Sequence, residues 1–198
     1  STSRRQRQMC IRDRPDDVQN IPHPIIGYMG TINSTRLDGE LLYQIISQRP
    51  DYSFVFTGPE DDIFRRNRIH SLKNAYFTGQ KKVDELPAYI AAYDVCINPQ
   101  MVNEITDGNY PLKIDEYLAM GKPTVATSTH TMRNIFAGHT HLAINPEEWL
   151  AAIDRAVTEA DDKELAKQRI AFAETHSWGH SVKKIYEIID SFLKKKTT

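Results

Sequence analysis

From Ile21 onward, short apolar runs alternate with segments whose apolar residues recur at helical spacing. The runs have the length of buried strands, and glycine or proline closes several of them. The segments between them repeat apolar residues every three or four positions, which places those side chains on one face of a helix. Alternation of this kind predicts an α/β fold, with a parallel sheet and helices on both of its faces.

The predicted order of elements also indicates where a ligand would bind. In open parallel sheets, ligands bind beyond the carboxyl ends of the strands, where the strand order reverses. Asp38 and Asp84 are predicted N-caps, and Gly121 is predicted to end the helix before it. We predict a Rossmann-like sheet of about six strands. The predicted strands are residues 24–30, 52–57, 75–78, 94–98, 122–126 and 141–144, and the predicted helices are 38–49, 63–70, 85–93, 111–120 and most of 146–194, with an interruption at 176–179.

Composition excludes several classes of protein. A formal net charge of −1 at pH 7 argues against a strongly basic nucleic-acid-binding protein, so we expect no nucleic-acid partner. No apolar run approaches the roughly 20 residues that a membrane-spanning helix needs. The two cysteines provide no disulfide framework and fit a reducing compartment. We therefore expect a cytoplasmic protein, with peripheral contact at the inner membrane face through the lysines at 194–196 as a further alternative.

The ends of the chain carry no pattern of a packed domain. Residues 1–20 hold five arginines within the first 14 positions, have no apolar periodicity and lack an initiating methionine. We interpret them as a disordered leader or a cloning or sequencing scar, with a nucleic-acid-binding arm as the alternative. The predicted domain occupies residues 21–194, and residues 195–198 form a tail.

The segment 103–126 contains the strongest candidate site. A long polar loop leads into a helix with Pro111 at its start, where proline costs no helical hydrogen bond. The free amides of the first turn, the helix dipole and the charge of Lys113 would favour an anion there. Glu116 lies one turn further on and could accept hydrogen bonds from vicinal hydroxyls. The pattern alone also fits a helix that only packs on the domain, because such helix starts are common.

This segment resembles the diphosphate-and-ribose motif of the group 1 glycosyltransferases, a large GT-B-fold family that uses nucleotide-sugar donors. In one branch of that family the motif resembles Pro-Leu-Lys, two residues, Glu-Tyr-Leu-Ala, one residue and Gly-Lys-Pro, followed by a strand. Residues 111–113, 116–119 and 121–123 match it in order and spacing. The likeness covers residues 21–192. Other matching segments are residues 24–30, 74–79, 85–89 and 94–95, with Trp178 opening the last predicted helix.

The resemblance implies roles for particular residues. Glu116 would hold the ribose hydroxyls, while the amides of Leu112 and Lys113 and the Lys113 side chain would hold the diphosphate. The turn after Gly30 would approach the phosphates from the neighbouring strand, because glycine lets the backbone come close. The loop at residues 79–80 would border the base, with an ordinary turn as the alternative.

The sequence departs from the family pattern at three places, one of which is Tyr110, where this branch would be expected to carry a small polar residue. Thr31 occupies the position of a phosphate-binding arginine in many relatives; Arg36 could replace it, or could be an ordinary surface arginine. Many relatives carry a glutamate eight positions before Glu116, where this chain has Gly108, and Glu104 is either its substitute or a solvated loop residue. The predicted substrate-binding residues are Gly30, Thr31, Arg36, Gly79, Gln80, Glu104, Pro111, Leu112, Lys113 and Glu116.

The resemblance further implies the C-terminal, donor-binding half of a retaining glycosyltransferase. Such an enzyme would move a hexose-type sugar from a nucleotide diphosphate to a hydroxyl acceptor in polysaccharide biosynthesis. Lys113 would stabilise the leaving phosphate, with Arg36 as a candidate helper, and other catalytic groups are unidentified. The nucleotide-diphosphate sugar would be the substrate, and no cofactor or obligatory metal is expected. The acceptor domain would lie upstream, so this chain would be inactive alone.

Two alternatives to this interpretation stay open. A non-catalytic nucleotide-binding or interaction module could have the same fold. The acidic residues 60–62 follow a predicted strand and could hold a metal, since Mg²⁺ sites use carboxylates. Acidic residues at such a position also cap helices, which is the interpretation that we favour here.

Overall fold

The computed structural model describes residues 14–104 and 106–176 of the chain. Six strands form one sheet in the order β3-β2-β1-β4-β5-β6, and every pairing is parallel. The Rossmann-like parallel sheet predicted from the sequence is therefore confirmed. The chain order reverses between β1 and β4, which neighbour each other. The strands are β1 Ile25–Met29, β2 Ser53–Thr57, β3 Ala75–Gly79, β4 Val95–Asn98, β5 Thr124–Thr127 and β6 His141–Ala143.

Among the described residues, five α-helices connect and cover the strands. The carboxylate of Asp38 accepts a hydrogen bond from the amide of Leu41 at 2.9 Å, which confirms the predicted cap. Gly121 follows the third helix with φ of +71°, a conformation that suits glycine at a helix end. The helices are α1 Gly39–Gln48, α2 Leu86–Ala92, α3 Leu112–Ala119, α4 Pro146–Thr158 and α5 Lys163–Thr175.

The sheet separates two apolar cores, as expected for helices on both faces. Successive strand residues point to opposite faces, so Ile26 and Tyr28 pack in one core while Ile25 and Met29 pack in the other. Helices α1 and α4 cover the first core, and α2, α3 and α5 cover the second. Each fully buried aliphatic or aromatic side chain stabilises the fold by about 1.5–3 kcal/mol.

Three local predictions are wrong. Residues 63–70 form two short 3₁₀ helices, Phe64–Arg66 and Arg68–Ser71, instead of one α-helix. Asp84 does not cap α2; Glu85 occupies the cap position without a side-chain cap bond, and its carboxylate accepts from the amide of Lys82. The predicted helix from 146 onward is broken before its expected interruption, because Asp162 caps a new helix by accepting from two first-turn amides.

The packed domain also begins earlier than predicted. Residues 14–20, assigned above to a leader, contact the domain: Val18 is fully buried in the second core. Asp17 accepts hydrogen bonds from Tyr89 at 2.8 Å and Lys81 at 2.6 Å. The predicted boundary at residue 21 is therefore wrong for these residues. Predictions for residues 1–13 and 177–198, including Trp178 and the lysines at 194–196, lie outside the described part of the chain.

Candidate functional site

A cleft of about 620 Å³ opens at the carboxyl edge of the sheet, between the ends of β1 and β4. This is the place that the strand order predicts, and its volume is within the usual range for small-molecule sites. The loop after β1 and the start of α3 form its two sides. Its lining residues are Tyr28, Gly30, Thr31, Asn33, Arg36, Leu37, Gln100, Asn109, Tyr110, Pro111, Leu112 and Lys113.

Gly30 brings the backbone close to the base of the cleft. Its φ of +133° favours glycine, and a Cβ built there would lie 2.9 Å from the Nζ atom of Lys113. Gly58, at the end of β2, packs against this turn so closely that a Cβ would lie 2.0 Å from the Gly30 carbonyl oxygen. A side chain at either position would therefore change the floor of the cleft.

Lys113 projects from the first turn of α3 toward strand β1. Its ammonium donates a hydrogen bond to the Tyr28 hydroxyl at 2.6 Å and lies 4.1 Å from the centre of that ring. Desolvation lowers the pKa of Lys113 to about 8; the Glu116 charge opposes this shift, and the Arg36 charge adds to it. The ammonium is thus held in a partly desolvated position where an anion would stabilise its charge.

Arg36 supplies a second positive charge from the loop on the other side. Its carbonyl accepts from the amide of Met101 at 2.8 Å, which ties this loop to the segment after β4. Within residues 14–104 and 106–176, neither Arg36 nor Lys113 forms a salt bridge with a carboxylate. Two cations from different elements therefore line one cleft, and neither is salt-bridged to a carboxylate among these residues.

The amino end of α3 adds backbone donors to these charges. Pro111 occupies the N-cap position and has no side-chain cap bond, so it does not occupy the first amides of the helix. The hydroxyl of Tyr117, on the same helix, accepts from the amide of Met29 at 2.8 Å. Tyr117 is fully buried, so this bond fixes α3 to the end of β1. The cleft can thus receive an anion at a rigid helix end.

The structure brings together six of the ten predicted site residues: Gly30, Thr31, Arg36, Pro111, Leu112 and Lys113 line the cleft. Glu116, Glu104, Gly79 and Gln80 do not line it. Gln80 instead borders a shallow depression near the start of α2. Glu116 is exposed one turn along α3, and desolvation raises its pKa while the Lys113 charge lowers it. The roles of these four residues stay predictions.

Sequence reasoning missed several lining residues. Tyr28 lies in a strand and was indistinguishable from a core residue, and it is indeed 2% exposed. Gln100 and Asn109 lie in the segment 99–111, which the topology had indicated, but nothing in the sequence separates them from other polar loop residues. Contact between the β1 loop and the segment after β4 brings them to the cleft.

Other candidate sites are less suited to a ligand. In a smaller cavity of about 220 Å³, at the amino edge of β6, Arg169 and His141 both contact the carboxylate of Glu159. Among the acidic residues 60–62, Asp61 accepts hydrogen bonds from the amides of Phe64 at 2.6 Å and Ser34 at 2.7 Å. The cap position of the 3₁₀ helix Phe64–Arg66 is Ile63, which makes no side-chain cap bond.

The described residues contain no group of three or more histidine, cysteine, aspartate or glutamate side chains able to hold a metal. The expectation that no metal is needed stays a prediction. No helix within the described ranges is long and apolar enough to cross a membrane.

The fold and the cleft define a Rossmann-like domain with an anion-receptive site at the topological switch point. The family model described as glycosyl transferases group 1 matches residues 23–159, which is more than half of the chain. The chain belongs to this family, as the resemblance of residues 111–123 to the family's motif implied.

Individual relatives agree with this assignment. A protein of Bacillus subtilis (strain 168) named as the teichuronic acid biosynthesis glycosyltransferase TuaH is 28% identical over 160 residues, which are 78% of this chain and 40% of that protein. Sucrose-phosphate synthase from Thermosynechococcus elongatus superposes with a TM-score of 0.69 at 19% identity, covering 93% of this chain and 51% of the other. Anabaena HepE, solved with UDP, gives 0.67 at 15% identity, covering 96% and 52%.

The chain thus spans between 40% and 52% of the length of these three relatives. The two structural likenesses show a shared fold, which is the Rossmann-like fold of GT-B glycosyltransferases.

Proposed function

We propose that this chain is the donor-binding half of a retaining glycosyltransferase that transfers a hexose-type sugar from a nucleotide diphosphate to a hydroxyl acceptor. One observation carries the proposal: Lys113 and Arg36 converge on one cleft at the amino end of α3, with no salt bridge to a carboxylate in the described residues. Positive charges without such partners, together with backbone amides, suit the two phosphates of such a donor.

In this proposal the cleft acts on the leaving group. As the sugar–phosphate bond breaks, negative charge grows on the diphosphate, and the fixed ammonium and amides stabilise that charge. Tyr28 holds the Lys113 ammonium in place before the donor arrives. Glu116 would accept hydrogen bonds from the ribose hydroxyls further along the helix. None of these steps requires a metal, so we propose that the nucleotide sugar is bound without one.

We further propose that the acceptor is bound by another part of a longer protein. The chain covers 40% of TuaH and about half of the solved relatives, which supports a missing N-terminal domain. The chain alone would then bind donor and transfer little. The name of TuaH refers to teichuronic acid biosynthesis, and a role in polysaccharide biosynthesis fits this relative.

A calorimetric screen tests the proposal. The 198-residue chain is titrated with UDP-, GDP-, TDP- and ADP-linked sugars, with and without a divalent metal chelator. We expect saturable binding of at least one donor type, unaffected by the chelator. The absence of heat across the whole panel would contradict the proposal and favour the non-catalytic module with the same fold.

A further inference from the structure

Gln100 is a buried polar residue in the wall of the cleft. It lies two positions after the end of β4 and is only 7% exposed, yet it lines the cleft. Its side-chain amide has no hydrogen-bond partner within residues 14–104 and 106–176. Because no side chain or backbone group of these residues binds the amide, its donors and its acceptor are available to a ligand group that enters through the cleft.

The backbone around Gln100 is fixed on both sides. Gln100 forms an isolated antiparallel bridge with Leu37. The amide of Met101 donates to the carbonyl of Arg36 at 2.8 Å, and the amide of Asp38 donates to the carbonyl of Pro99 at 3.1 Å. The Gln100 side chain therefore starts from a rigid position next to the cation-bearing loop. A fixed polar group can discriminate between ligands because it does not rearrange on binding.

The chemistry of the Gln100 amide differs from that of the cationic and backbone donors in the cleft, and other side chains that both donate and accept there, such as Asn33 and Tyr110, already bind Thr35 and Asp115. Lys113, Arg36 and the first amides of α3 are donors only, which matches phosphate oxygens. The Gln100 side chain can both donate and accept, which matches a hydroxyl group. In the proposed donor, the sugar beyond the diphosphate carries hydroxyl groups. We infer that Gln100 is a specificity-determining residue that hydrogen-bonds a hydroxyl of the transferred sugar; this inference rests on the proposed function.

The test compares a nucleoside diphosphate with its sugar conjugates. UDP, GDP, TDP and ADP are titrated first, and the nucleotide that binds is then compared with its glucose, galactose and N-acetylglucosamine conjugates. Gln100→Met keeps the side-chain length and removes the amide. We expect this variant to lower affinity for the preferred conjugate roughly threefold to tenfold, the scale of one neutral hydrogen bond, while affinity for the free diphosphate is unchanged. Gln48→Met, at the exposed end of α1, is the matched control and should change neither affinity.

The ratio of the two affinities separates a specific role from structural damage, since a disturbed cleft would lose both ligands. If Gln100→Met does not fold, Gln100→Asn gives the same comparison, because it keeps the amide but withdraws it by one methylene. An equal loss for diphosphate and conjugate, or no loss for either, would overturn the role of Gln100 alone. A wild-type chain that binds none of the nucleotides would overturn the proposed function, and this inference with it.

Discussion

Lys113 combines two properties that are unfavourable in isolation and useful together. Its ammonium is partly desolvated, which lowers its pKa to about 8, and its only hydrogen-bond acceptor in the described residues is the neutral hydroxyl of Tyr28. A structural lysine would be expected to find a carboxylate in such a position. A partly desolvated cation with no salt bridge among the described residues instead suits a residue whose partner is a ligand.

The first prediction concerns donor binding. Lys113→Met removes the charge while keeping most of the side-chain volume, and we expect it to weaken binding of the preferred nucleotide sugar by about 1.5–3 kcal/mol, the scale of hydrogen bonds to charged groups. Isothermal calorimetry measures the effect. Lys167→Met is the control, because Lys167 lies exposed on α5 and pairs with Glu164 on the same helix. Equal affinities for wild type and Lys113→Met would contradict the assignment of Lys113 to the phosphate site.

The second prediction concerns pH and stability. Because folding lowers the pKa of Lys113 from 10.5 to about 8, the unfolded chain holds more protons between these values. The contribution of Lys113 to the free energy of unfolding should therefore increase as the pH rises through this window. Urea unfolding of wild type and of Lys113→Met, each at about pH 7 and about pH 10, separates the contribution of Lys113 from that of the other titrating groups. We expect the difference in stability to shift in favour of the wild type at the higher pH; a constant difference would argue against the depressed pKa.

Helix α3 is positioned by one buried hydroxyl as well as by apolar packing. The Tyr117 hydroxyl accepts from the amide of Met29, and Ile114 and Leu118 pack in the second core on the same helix. The amino end of the helix and the glycine turn after β1 are thus held at a fixed separation.

The third prediction tests this connection between elements. Tyr117→Phe leaves the buried Met29 amide without its partner and should lower the free energy of unfolding by about 1–3 kcal/mol. Chemical denaturation measures the loss of free energy, provided that the variant and the wild type have the same denaturant m-value. Tyr43→Phe, at a half-buried tyrosine on α1 that stacks under Arg68, keeps its ring contact and should be nearly neutral. A neutral Tyr117→Phe would show that packing alone positions α3.

Some elements were predicted correctly from the sequence and others were missed, and the difference has a physical cause. Strands such as residues 52–57 and the cap at Asp38 follow from local pattern, so they were found. The two 3₁₀ helices at 64–71 were not, because the carboxylate of Asp61 binds the amide of Ser34 as well as that of Phe64, a contact that depends on tertiary structure. The π-helix Met132–Phe136 likewise has no local signal. In the cleft, the residues belonging to a motif were predicted, whereas Tyr28 and Gln100 reach it only through the folded arrangement of loops.

At the scale of the whole molecule, the packed unit extends into the segment that its arginine-rich composition had marked as a leader. Val18 fills a place in the second core, and Asp17 contacts Tyr89 and Lys81 across the domain. Composition failed here because the burial of Val18 and the hydrogen bonds of Asp17 depend on the folded domain and leave no sign in the residue types of a short segment.

The fourth prediction follows from this packing. A chain beginning at Ile21 should be less stable than one beginning at Arg14 by roughly the burial of one aliphatic side chain, about 1.5–3 kcal/mol. Urea unfolding of both truncated chains, with Val18→Ser in the longer one as a third sample, measures the loss and assigns it to Val18. Equal stability of the two truncated chains would mean that residues 14–20 do not contribute to the core.

The proposed function requires that the amino end of α3 receives the diphosphate of a sugar donor. A crystal structure of the chain with the nucleoside diphosphate selected by calorimetry tests that claim most directly. We predict phosphate oxygens within hydrogen-bond distance of the Lys113 ammonium and of the amides of Leu112 and Lys113, with Arg36 on the opposite side. A nucleotide bound elsewhere, for instance in the cavity beside Arg169, with the end of α3 facing only solvent, would contradict it.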